Sequence, residues 1–150
     1  MLHPAPTTKL DPSLARGTIL DVRDETATSP AYVVIGFPNT SYKTHLETSD
    51  DLGVLRSQIG EMVIGRISAR ARKIVRPMAG GCKLDPCFGP PRRAMGTVEA
   101  IDPRANVLVV NAGVPVLLTL TAPGQSAKDF SDAGFIACDL ESGARFALHQ

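Results

Sequence analysis

The residue types best suited to chemistry in this chain are cationic and crowd into residues 66–93. Arg66, Arg70, Arg72, Lys73, Arg76, Lys83, Arg92 and Arg93 stand there against one acid, Asp85. The stretch therefore carries +7 and leaves −6 for the remainder of a chain whose net charge is +1. Guanidinium groups at this density suit an anionic partner. Arg66, Arg70, Arg72 and Arg76, extended by Arg92 and Arg93, are the candidate anion- or nucleic-acid-binding residues, able to track phosphates. The competing account is a solvated basic face neutralised by acids elsewhere in the fold.

Other chemistry is thinly represented. Cys82 and Cys87 could form half a metal site or a redox pair, but a structural zinc site needs four ligands. No C-x-x-C supplies the rest, and His3, His45 and His149 are scattered. Three cysteines cannot all pair, so two free thiols and a buried Cys138 are the expectation. There is no G-x-S-x-G, H-E-x-x-H, phosphate-binding loop or dinucleotide fingerprint. Carboxylates gather at Asp21, Asp24 and Glu25 and at Asp50 and Asp51, where turn chemistry and helix capping explain them. No catalytic residue, metal or cofactor is expected.

The elements that must position the arginines read as strands. Residues 31–37 form a continuous β-branched and aromatic run between Pro30 and Pro38, consistent with burial on both faces. Residues 40–47 alternate, with Thr40, Tyr42, Thr44 and Leu46 inward and Ser41, Lys43, His45 and Glu47 outward. A short helical turn follows, capped from residues 49–51. The strand after Gly60 has Val63, Gly65, Ile67, Ala69, Ala71 and Val75 on one face and four arginines on the other if its pleat holds. Lys73 breaks that pattern and suggests a bulge or a strand end near Ala71.

An offset of 74 residues lays the second half over the first. Residues 32–35 fall on 106–109, Tyr42, Thr44 and Leu46 on Val116, Leu118 and Leu120, and Gly60 on Gly134. Gly17-Thr18-Ile19 matches Gly96-Thr97-Val98. The expectation is an all-β protein of two tandem small five-stranded barrels, OB-like or SH3-like, packed together. Residues 1–12 would be a flexible arm, 13–76 the first barrel, 77–91 a Gly/Pro/Cys linker and 92–150 the second barrel. Half-domains of about 60 residues are marginal alone, which favours packing. Outward Lys43, His45 and Glu47 become Leu117, Thr119 and Thr121 in the second copy. That change makes Leu117 an interface candidate, with Val34 and Phe37 from the apolar run.

The run from Gly80 to Gly89, followed by Pro91-Arg92-Arg93 and Gly96-Thr97-Val98, resembles an uncharacterised bacterial family, chiefly planctomycete. The resemblance covers residues 16–147 and implies tandem small β-units without implying an activity. Asp129-Phe130-Ser131-Asp132-Ala133-Gly134 resembles the D-x-S-x-x-G of PilZ domains, which bind cyclic diguanylate. The R-x-x-x-R pairs Arg66/Arg70 and Arg72/Arg76 lie more than fifty residues upstream. Ser13-Leu14-Ala15-Arg16 and Ser68-Ala69-Arg70 partly resemble the opening of paired oxyanion-binding modules in molybdate proteins, without the Asn that follows there.

The first expectation is a non-catalytic protein-interaction or assembly module with a basic strand face, binding a protein partner or itself. The alternative is an OB-like module contacting the phosphate backbone of nucleic acid, disfavoured because Tyr32, Phe37, Tyr42 and Phe135 read as core. A small anionic ligand, a cyclic dinucleotide or an oxyanion, is the weaker alternative. No apolar run approaches a membrane span and no leader h-region opens the chain, so a cytoplasmic protein with no membrane contact is expected.

Overall fold

The computed structural model describes residues 11–78, 80–132 and 134–149, and it is all-β with one short helix and one 3-10 turn. The N-terminal arm expected over 1–12 lies almost wholly outside the described residues. In chain order come β1 (Ala15–Arg23), β2 (Tyr32–Gly36), β3 (Lys43–Glu47), α1 (Leu52–Ser57), β4 (Met62–Val75), β5 (Lys83–Asp85) and β6 (Phe88–Gly89). Then follow β7 (Arg93–Asp102), β8 (Val107–Asn111), β9 (Pro115–Leu120), the 3-10 turn (Ala127–Phe130), β10 (Phe135–Leu140) and β11 (Arg145–Leu148). No helix among the described residues is long and apolar enough to cross a membrane.

All eleven strands belong to one hydrogen-bonded sheet. Its pairings return on themselves twice. β1 pairs with β2, β2 with β3, β3 with β11 through Glu47 and Arg145, β11 with β4, and β4 again with β1. Likewise β7 pairs with β8, β8 with β9, β9 with β4 in parallel, β4 with β10, and β10 again with β7. The fourteen residues of β4 serve both circuits, the first through its beginning and the second through its end. Residues 77–91, expected as a linker, carry β5 and β6, which add to β7 and β3.

The two halves share an irregularity at matching places. β1 has a bulge between Ile19 and Asp21 opposite Ile35 and Val34, and β7 has one between Val98 and Ala100 opposite Val110 and Val109. These registers set Val33 against Leu108, an offset of 75, so the offset of 74 read from the sequence slips this strand by one residue. A one-residue slip exchanges faces. Here Val33, Val34 and Ile35 are all buried, so the apolar pattern could not report it.

Alternation built the core as expected elsewhere. Tyr42, Thr44 and Leu46 are buried, as are Val63, Ile67, Ala69 and Ala71. One cluster of buried residues draws on both halves, from Ala15 to Phe146. The helix begins where the acids suggested, with the Asp51 carboxylate accepting from the Gly53 and Val54 amides at 2.8 and 3.2 Å.

Candidate functional site

The basic stretch does not form one free face. The pleat of β4 holds through Ala71, then Cys138 pairs with Ile74 and Leu140 with Ala71, which leaves an extra residue in β4. After this bulge Ile74 is buried and Val75 exposed. Arg66, Arg70 and Arg72 therefore share a face, and Arg76 falls beyond the bulge at the 3-10 turn. The expected row of four is three and one, because the extra residue reverses the alternation.

Acids from distant parts of the chain meet most of these arginines. Arg66 Nη2 lies 2.7 Å from Asp11, and its Nε donates to Ser13 Oγ at 3.0 Å. Hydrogen bonds from Ser13, and then the Arg66 guanidinium, hold the Asp11 carboxyl below its usual range. Arg70 pairs with Glu141 at 3.3 Å and Arg93 with Asp139 at 3.1 Å. Arg76 pairs with Asp132 at 2.9 Å, donates to the Asp129 carbonyl and covers the Phe130 ring at 5.1 Å. Its guanidinium holds Asp132 below the usual carboxylate range. The D-x-S-x-x-G stretch and the second R-x-x-x-R pair, far apart in sequence, thus meet through Arg76, although Asp132 already occupies that arginine. Such exposed pairs contribute little to stability, because solvent screens them. Their larger effect is on the surface, since four of the six candidate arginines are neutralised locally. Arg72 and Arg92 make no ion pair among the described residues.

Two of the three interface candidates are covered by the chain itself. Phe37 lies in the core, and Val34 is buried between its cross-strand neighbours Asp21 and His45. β2 is paired on both edges, by β1 and β3. Leu117 is half-buried beside Val109 and Ser68.

The surface that stands out instead lies over the outward face of β2 and β3. Tyr32 and His45 are diagonal neighbours there, since Tyr32 opposes Glu47 and Val34 opposes His45. Their rings stack at 5.0 Å with 17° between planes. Phe88 arrives on β6, which pairs in parallel with Lys43 and Thr44, and its ring meets His45 edge-on at 5.2 Å. Phe88 is 66 % exposed, far more than a core aromatic. Burial, and then the nearby Arg23 cation, push the His45 imidazole below its ordinary range, so it is neutral at physiological pH.

A cleft runs along these rings. Its smaller end, a half-open hollow of about 180 Å³, is bounded by Pro30, Tyr32, His45, Glu47 and Pro90. Past Pro90 an open concavity is lined by Pro86, Phe88 and Arg92. Of the six candidate arginines, only Arg92 borders this cleft. Alternation already placed His45 and Glu47 outward. Tyr32 was assigned to the core, and nothing in the sequence showed that Phe88 would return across β3.

Cys82 and Cys87 are free and exposed, with Cys87 Sγ 3.9 Å from the Ser41 hydroxyl, and Cys138 is free and buried. Among the described residues no three His, Cys, Asp or Glu side chains gather into a metal-binding group. No family model, curated protein or solved structure matches the chain.

Proposed function

We propose that this protein is a non-catalytic interaction module that takes a partner protein in the cleft over β2 and β3. The observation that carries the reading is the exposed Phe88 ring, held edge-on against His45, which in turn stacks on Tyr32. An aromatic and proline-lined groove on a rigid sheet recognises extended peptide segments, because flat rings bury area without losing much side-chain entropy. The basic strand contributes less than its composition suggested, since Asp11, Glu141, Asp132 and Asp139 occupy four of its arginines. We read the two circuits of pairing as two small five-stranded barrels, OB-like in rhythm, repeated in tandem with β4 in common. Two exposed free thiols favour a reducing compartment, hence the cytoplasm.

The test is selection of peptides from a displayed library on the full chain, followed by affinity measurement on Phe88→Ala and Tyr32→Ala. Expected is a recurrent motif whose binding weakens by about tenfold or more in either variant. A library that yields no motif, or binders indifferent to both substitutions, would overturn the reading. Nucleic acid remains a second reading on one specific observation. Phe88 and Arg92 border the same concavity, as a stacking ring and a phosphate contact would. Anisotropy of a labelled single strand at low salt decides it, and no change on adding protein ends that reading.

A further inference from the structure

Resting on the reading of the β2–β3 cleft as a contact surface, we propose that its smaller, half-open end is a receptor for one organic cation. The ligand is an alkylammonium or guanidinium head on a partner's side chain. The cavity of about 180 Å³ holds a single such group. Pro30 and Pro90 give it aliphatic walls, and Tyr32 and His45 give it aromatic ones.

Charge chooses the occupant. Glu47 is the one charged residue among those lining this cavity. Its carboxylate makes no ion pair or side-chain hydrogen bond among the described residues. No cation pairs with it among the described residues. Arg145, its partner across the β3–β11 pairing, donates to the Ser49 hydroxyl, and Arg23 is held by Asp21 at 2.7 Å. His45 adds no charge of its own at neutral pH. Gly143 keeps the carboxylate uncovered. Its φ of +99° favours glycine, and a Cβ there would stand 3.6 Å from Glu47 Oε2, so a longer side chain would lie over the acid.

A cation entering here meets a carboxylate beside the aromatic side chain of Tyr32, the two kinds of group that hold ammonium and guanidinium heads in aromatic sites. A neutral group of the same shape would strip water from Glu47 and return no charge. An anion would meet direct repulsion.

The full chain, labelled for amide NMR, is titrated with N-acetyl-arginine amide, N-acetyl-lysine amide and the neutral isostere N-acetyl-citrulline amide. Expected are saturable shifts at Tyr32, His45, Glu47 and Gly143 with the two cations, and binding about tenfold or more weaker with citrulline. Glu47→Gln should lower cation affinity by a similar factor, and Tyr32→Leu, which keeps bulk without the ring, should lower it too. Citrulline binding as tightly as arginine overturns the proposal without any variant. So does unchanged binding to Glu47→Gln, or shifts confined to another surface. The parent reading fails separately. A library peptide that loses affinity in Phe88→Ala but keeps it in Glu47→Gln preserves the contact surface and removes the cation receptor. A peptide indifferent to both removes the two together.

Discussion

Tyr42 shows how single residues hold the halves together. Its hydroxyl accepts from the Leu84 amide at 2.8 Å and donates to the Ala112 carbonyl at 3.0 Å, tying β3 to β5 and to the loop after β8. Tyr42→Phe leaves two buried backbone groups without that partner. It should lower unfolding free energy by about 1–3 kcal/mol in urea titrations, while a surface Thr substitution should not. Burial is the first cause raising the Tyr42 phenol above its ordinary value, and burial pushes the Cys138 thiol up to about 12 from 9.0. For an acid whose folded value is raised, stability is full below the unfolded value and falls as pH climbs toward the folded one. Stability should therefore decline from about pH 9 upward, read as a falling urea midpoint, and a flat profile to pH 11 would contradict it. A thiol reagent on the native protein should titrate Cys82 and Cys87 and reach Cys138 only on unfolding. The inward position of Tyr42 was legible from alternation. Its two partners were not, because they lie 42 and 70 residues away.

At the level of elements, β4 decides the most. Small residues on its inner face let other strands approach: a Cβ at Gly65 would stand 2.4 Å from both the Ala147 carbonyl and the Phe146 ring of β11. Gly65→Ala should therefore cost about 1–3 kcal/mol, because one contact is backbone that cannot rotate aside. Calorimetry checks this, and an unchanged melting temperature would show that β11 does not sit as described. The bulge near Lys73 was visible in the sequence as a break in alternation. Its consequence, that Arg76 leaves the arginine row and meets Asp132, required the position of the 3-10 turn. Alternation also placed His45 and Glu47 outward on β3. The core reading of Tyr32 did not hold, because a strand run apolar at every position shows no alternation to tell which side a half-buried ring takes.

For the whole molecule the exchange of strands matters most. β11, from the second half, lies against β3 and the beginning of β4, and the end of β4, from the first half, lies between β9 and β10. Neither half contains its own full set of partners. Fragments 11–91 and 92–149 should each lack a cooperative thermal transition, and mixing them should restore β circular dichroism and one transition. Independent melting of either fragment would show that the exchange contributes little. The same closeness explains the charges. A segment of +7 is tolerable because acids from residues 11 and 132–141 fold onto it.

Taken alone, the sequence determined what depends on neighbours one to four residues away. That covers the all-β class, the inward set on β3, most of that on β4, a helix cap among residues 49–51, the bulge and the uneven charge. Tertiary structure decided what depends on which strand lies beside which. It paired the arginines with acids, buried Val34 and Phe37, linked the halves through β4 and β11, and brought Phe88 to His45. The division has a physical cause. Alternation and capping are set by local backbone geometry, whereas pairing across the chain is set by the burial that the assembled sheet allows. Residues 66–93 are basic by composition, but acids folded onto them pair four of the six candidate arginines, and the groove beside β3 is lined by three aromatic rings that composition did not single out.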